Sequence, residues 1–223
     1  MLTIVVARRR FGKRFTPEEN PTVKFPEFFE SAPRIAVCDP LARFLGAAEE
    51  GVIEYSYGDV VKLAGHSCPT VAAAYLITRA ALRALYPDTL PERGGIRVEL
   101  RDGMLAGVTG VIANVVSLFT GATQDTGFKG IAGRFDRRGL LFYGVDIPGQ
   151  IRFTRVDTEA AATVVAHLER VPGDPRIAAL MPFCVAGTAT DAQATLFQSL
   201  WQDRVRTILI DHADDPEIIV VQH

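Results

Sequence analysis

The chain has 223 residues, 48% of them apolar and 22% charged, with a formal net charge of −2 at pH 7. A chain of this length buries roughly 70% of the surface its unfolded form exposes, so it needs neither a disulfide nor a metal to fold, and its near-neutral balance gives no global attraction for nucleic acid. No apolar run approaches the roughly 20 residues of a membrane span, and the widely spaced Cys38, Cys68 and Cys184 do not make a secreted disulfide framework.

In chain order, an apolar stretch at 2–7 reads as a first strand, followed by a basic run of Arg8, Arg9, Arg10, Lys13 and Arg14. That run reads either as a solvated turn or as a surface for an anionic partner. Charge after an apolar stretch is the reverse of a secretory signal, so a cytoplasmic protein is expected. Residues 34–38 read as a short strand stopped by Asp39-Pro40, with a short helix over 40–48 and an extended lead-in over 53–57.

The strongest helix signal starts at Pro69, where Val71, Tyr75, Thr78, Leu82 and Leu85 follow at three- and four-residue steps. Residues 96–100 alternate as a strand, and 109–119 read as a second buried helix. A glycine-rich stretch with Gly121, Gly127, Gly130 and Gly133 precedes two expected strands at 140–145 and 150–156. Asp157-Thr158 is a plausible cap for a helix ending near Leu168, and Thr190-Asp191 opens a long helix to about Ile210 with Phe197, Trp201, Val205 and Ile208 on one stripe. Residues 217–222 read as a last strand. Helices and strands mix without a βαβ rhythm, so the expected class is α+β: a mixed or antiparallel sheet packed by helices.

The segment carrying chemistry is Gly65-His66-Ser67-Cys68-Pro69. Imidazole nitrogen and thiolate sulfur are the usual ligands of zinc and other borderline or soft metals. A His-x-Cys spacing on a turn converges both side chains, Gly65 allows the turn and Pro69 starts the helix. Cys68 at the helix start faces unpaired backbone amides, which favour negative charge. The competing reading is a buried cysteine beside a hydrogen-bonded histidine.

Residues 60–69, Val-Val-Lys-Leu-Ala-Gly-His-Ser-Cys-Pro, followed by a small-residue helix, resemble the motif that begins domains of the FmdE-like family of formylmethanofuran dehydrogenase subunits. Leu118-Phe119-Thr120-Gly121-Ala122-Thr123 and Gly127-Phe128-Lys129-Gly130 resemble that family's second signature. The resemblance covers about residues 50–145. It implies a core over 50–157, with residues 1–49 packing on it and 158–223 as a C-terminal helical extension. It also implies a metal, commonly zinc, on His66 and Cys68, a homodimer and a possible partner oxidoreductase. Ala64 and Ala122 stand where the family often has histidine and cysteine, and no Cys-x-x-Cys pair is present. Cys184, read as lying on a loop, is the best candidate for a further thiolate. Cys38 reads as core, and His167, late in the expected 158–168 helix, His212 and His223 are weaker ligand candidates.

Thr120, Gly121 and Lys129 are candidate cofactor contacts, since the glycine stretch can cradle an anionic group or simply wall the metal pocket. Asp102 and Asp125 are possible bases with nothing in the sequence to orient them. Three functions are open at this point: a metal-binding accessory or carrier protein, a haem protein using His66 or Cys68 as axial ligand, and a zinc-dependent hydrolase or transferase. The Phe197–Trp201 stripe is read as packing a helix, either on the chain's own sheet or across a dimer.

Overall fold

A computed structural model describes residues 23–222. The expected strand at 2–7, the basic run at 8–14 and the terminal His223 lie outside the described residues. The described residues make an α+β fold around one mixed sheet, and none of their helices is long and apolar enough to cross a membrane.

The sheet has five strands in the order β6-β3-β7-β8-β9, namely β6 (Leu141–Tyr143), β3 (Ile96–Leu100), β7 (Ile151–Arg155), β8 (Ala161–Ala166) and β9 (Ile219–Gln222). Only β3 and β6 run parallel. Alternation sorts the two faces. Ile96, Val98, Ile151, Phe153, Ala162 and Val164 are buried in one cluster with Val71, Tyr75 and Leu82 of the helix α4 (Pro69–Leu85). On the other face, Glu99 stands opposite Arg152 and accepts from its Nε at 2.7 Å and its Nη2 at 2.9 Å. α4 crosses β7, β8 and β9 and packs against α3 (Tyr57–Ala64) and α5 (Thr109–Thr120).

The chain before α3 is α1 (Phe28–Ser31) and an antiparallel pair, β1 (Ile35–Cys38) and β2 (Val52–Tyr55), joined through α2 (Pro40–Phe44). Asp39 caps α2 through Leu41 N at 2.9 Å and Ala42 N at 3.1 Å, and also receives Arg93 Nη1 at 2.9 Å and Arg137 Nη2 at 2.7 Å. Burial works against its charge, but the Arg93 and Ala42 hydrogen bonds and the Arg137 guanidinium outweigh it and hold the carboxyl below the ordinary aspartate range. This buried ion cluster ties the β1–β2 unit to the sheet side of the molecule.

Four expectations need correction. Residues 158–168 do not form a helix: β7 turns through 157–159 and returns as β8, whose Thr163, Val164 and Val165 suit a pleated surface better than a helix. The segment after residue 157 is therefore not a purely helical extension, because it supplies β8 and β9 to the sheet. His167 accordingly follows a strand and precedes a short 3₁₀ turn, with Nδ1 on Glu169 at 2.8 Å. Cys184 lies on a helix, α6 (Arg176–Ala186), which runs through Pro182 and ends at Gly187 with φ 69°. The glycine-rich stretch carries a small hairpin, β4 (Lys129–Ile131) and β5 (Arg134–Asp136). α7 (Asp191–Arg206) opens with a Thr190–Gln193 capping box, as its start signal suggests.

Candidate functional site

The site is the corner between α3 and α4. Ser56 and Asp59 form a capping box at the start of α3, with Ser56 N donating to Asp59 at 3.0 Å and Asp59 N to Ser56 Oγ at 3.3 Å. α3 ends at Gly65, whose φ of 74° is left-handed. A Cβ there would touch nothing within 4 Å, so glycine is needed for the backbone conformation and not for space. Cys68 is the extended N-cap of α4, with Pro69 at the first helical position and Val71 N donating to Sγ at 3.4 Å.

The segment between the two helices alternates its side chains. His66 and Cys68 point together, and His66 Nε2 lies 3.4 Å from Cys68 Sγ. His66 Nδ1 is 2.9 Å from Ala64 O. A carbonyl oxygen only accepts, so Nδ1 carries a hydrogen, and in the neutral ring Nε2 has its lone pair toward the sulfur. Ser67 points the other way, into α7. Its Oγ donates to Gln202 Oε1 at 3.0 Å, and its carbonyl accepts from Trp201 Nε1 at 3.1 Å and Gln202 Nε2 at 3.3 Å. The Tyr57 hydroxyl lies 3.1 Å from Ser67 Oγ, and since the serine hydrogen is directed at Gln202, Tyr57 donates. Burial pushes the Tyr57 phenol well above its ordinary range, so it remains a donor at physiological pH.

Tyr57 sits edge-on to Phe29 and Tyr75, with ring centroids 4.8 and 5.5 Å away. The turn is thus braced from beneath by the core and from the side by α7. A cavity of about 540 Å³ opens beside the pair, lined by Phe25, Phe29, Phe197 and Trp201 together with His66 and Cys68. The Phe197–Trp201 stripe faces the chain's own turn, and the indole N–H is spent on Ser67.

Among the described residues, no third His, Cys, Asp or Glu joins the pair in a metal-sized cluster. Cys184 is half-buried on α6 and does not line the cavity. Thr120 is buried at the end of α5 with its hydroxyl on Val116 O at 3.0 Å, and Gly121 is the left-handed cap behind it. Lys129 is exposed on the small hairpin. None of these three lines the cavity. Cys38 is half-buried on β1, and His212 Nδ1 is 2.8 Å from Asp215. Asp102 and Asp125 are exposed and lie off the site.

The residues that spacing alone misses are Tyr57, Trp201 and Gln202, and the role of Ser67. Ser67 and Gln202 are 135 positions apart, and no local pattern links them.

The donor set fits a borderline or soft metal. With ordinary zinc–nitrogen and zinc–sulfur bond lengths, two ligands of a tetrahedral site stand about 3.5 Å apart, close to the 3.4 Å between Nε2 and Sγ. A ring nitrogen held by a backbone carbonyl is also the usual support for a ligating histidine. No protein-family model and no curated protein matches the chain.

Proposed function

We propose that the chain binds a borderline or soft transition-metal ion, zinc foremost, between His66 Nε2 and Cys68 Sγ, as an accessory or carrier protein similar to the FmdE-like proteins of formylmethanofuran dehydrogenase. The observation that carries this reading is the tautomer-fixed imidazole facing the thiol at 3.4 Å. Structural zinc sites use four protein ligands. Two donors, one on an exposed residue and one half-buried, suit an ion that is received and passed on. Coordination positions left by the protein go to water, a small ligand or the metal's recipient. The family resemblance further implies a homodimer and a partner oxidoreductase.

The test is cobalt titration of the purified protein. Thiolate ligation gives a sulfur-to-metal charge-transfer band, which is expected in the wild type, lost in Cys68→Ser and weakened at least tenfold in affinity in His66→Ala. A band of unchanged strength in Cys68→Ser would remove Cys68 from the site.

A second reading is haem, favoured by the aromatic lining of the cavity next to Cys68. Haemin titration separates the two: a Soret band that shifts in Cys68→Ser supports haem, and its absence leaves the metal-ion reading. A zinc hydrolase has the least support, because among the described residues no carboxylate lines the cavity to orient a water.

A further inference from the structure

A second and larger cavity, about 900 Å³, lies on the other side of Trp201, between α6 and α7. Its walls are apolar, with Pro69, Ile177, Ala178, Met181, Val185 and Trp201 facing it. Two charged residues also line it, and they differ. Asp174 is neutralised by Arg176, which donates from Nε at 2.9 Å and Nη2 at 2.7 Å. Among the described residues Arg204 has no carboxylate partner: Nε donates to Val171 O at 2.8 Å and Nη2 to Leu168 O at 3.2 Å, and Nη1 takes no hydrogen-bond partner there. These two carbonyls fix the guanidinium plane without cancelling its charge. The cavity therefore combines a volume within the small-molecule range, an apolar wall and one oriented cation.

α6 is built for such a role. None of its residues is buried, although most are apolar, and its main packing partner is α7. A helix of eleven residues with its apolar side uncovered gains its stability from whatever covers that side.

We propose that this cavity binds an apolar monocarboxylic acid, its chain against α6 and Trp201 and its carboxylate on Arg204 Nη1. The proposal is independent of the metal reading, since the cavity touches neither His66 nor Cys68.

Trp201 is the single tryptophan of the chain and lines both cavities, so its fluorescence reports occupancy, and the variants below assign the response to this cavity. The probes are octanoate, decanoate, dodecanoate and dodecanol, each kept below its micelle or solubility limit. The acids are expected to give saturable changes, tightening by about fourfold per added methylene as burial of a methylene implies. Dodecanol is expected to bind at least tenfold more weakly than dodecanoate. Ala178→Phe, at an exposed position of α6 that lines the cavity, puts a ring against the apolar wall without entering the core and is expected to weaken dodecanoate binding at least tenfold. Arg204→Gln is expected to erase the preference for acid over alcohol while leaving dodecanol binding in place, which shows that the cavity remains formed.

Equal binding of dodecanol and dodecanoate by the wild type would overturn the proposal, as would dodecanoate affinity left unchanged by Ala178→Phe. A wild-type dimer that Ala178→Phe splits would assign the groove to a second copy and overturn it too. Cobalt binding by Ala178→Phe at wild-type strength separates any of these failures from a failure of the metal site.

Discussion

Asp59 sits where the helix that leads into the His66–Cys68 turn begins, so its protonation state bears on the corner. Burial opposes its charge, but hydrogen bonds from Lys62, Ser56 N and Ser56 Oγ prevail and hold the carboxyl down at about 2. A carboxyl depressed in the folded state contributes stability above its ordinary value of 3.8, and that contribution is lost as pH falls from about 4 toward 2. Ser56→Ala removes the cap acceptor and is expected to cost about 1 kcal/mol at pH 7. In thermal melts across pH, the gap between wild type and Asp59→Asn is expected to close below about pH 4. A gap that stays constant to pH 2 would mean the charge is irrelevant to the cap. Because Asp59 keeps 37% of its side chain exposed, solvent screening reduces the effect below the full linkage value.

A second residue-scale case is Asp39, which holds the buried Arg137. Asp39→Ala strands that guanidinium and is expected to cost about 3–5 kcal/mol in a denaturant melt. At this scale the convergence of His66 and Cys68 was legible from their spacing before a proline-started helix. Arg204, Gln202 and Arg137 were not, because each acts through partners far away in sequence and carries no local signature.

Among the elements, α7 shapes the candidate site without supplying either of its two donor side chains. Its Trp201 and Gln202 hold the hydroxyl and the carbonyl of Ser67, the residue between His66 and Cys68. Partners hydrogen-bonded directly to a ligand are worth about 10- to 100-fold in metal affinity, and Gln202 acts one residue removed, through Ser67. Gln202→Ala is therefore expected to lower cobalt affinity by about tenfold at most while keeping the charge-transfer band, since no proposed donor is lost. The same variant leaves two Ser67 hydrogen bonds unmade and is expected to cost about 1–3 kcal/mol in stability. Unchanged cobalt affinity in Gln202→Ala would mean that the turn holds its shape without α7.

The elements also show where sequence reading succeeds. α4, α5 and α7 announce themselves by long apolar periodicity and end signals. α3 is only eight residues long, and its marks were the Ser56–Asp59 box and Gly65, which are easily passed over in a short span. α6 carries Pro182 in its interior, a residue that ordinarily interrupts a helix, and the segment expected as a loop at Cys184 is helical all the same. β8 was hidden by Asp157-Thr158, which resembles a helix cap but here belongs to a hairpin turn.

For the whole molecule, the question is whether the proposed metal would hold the fold together or merely sit on it. The core runs continuously from Phe29 through Tyr57, α4 and the sheet to Ile219, and Cys68 is only packed against its margin. No part of that cluster depends on a bond through His66, which is exposed. In a zinc finger, by contrast, metal binding energy is folding energy. Metal removal by a chelator is therefore expected to leave the far-ultraviolet circular dichroism unchanged. Cys68→Ser is expected to lower stability by about 1–3 kcal/mol, an ordinary point change plus the lost ligand linkage. For a chain of this size that corresponds to a Tm drop of roughly 2–12 °C. The checks are metal content and a thermal melt on the same samples. A cooperative melt with no bound metal fits an exchangeable site on a self-sufficient core, whereas outright unfolding of Cys68→Ser would make the metal structural.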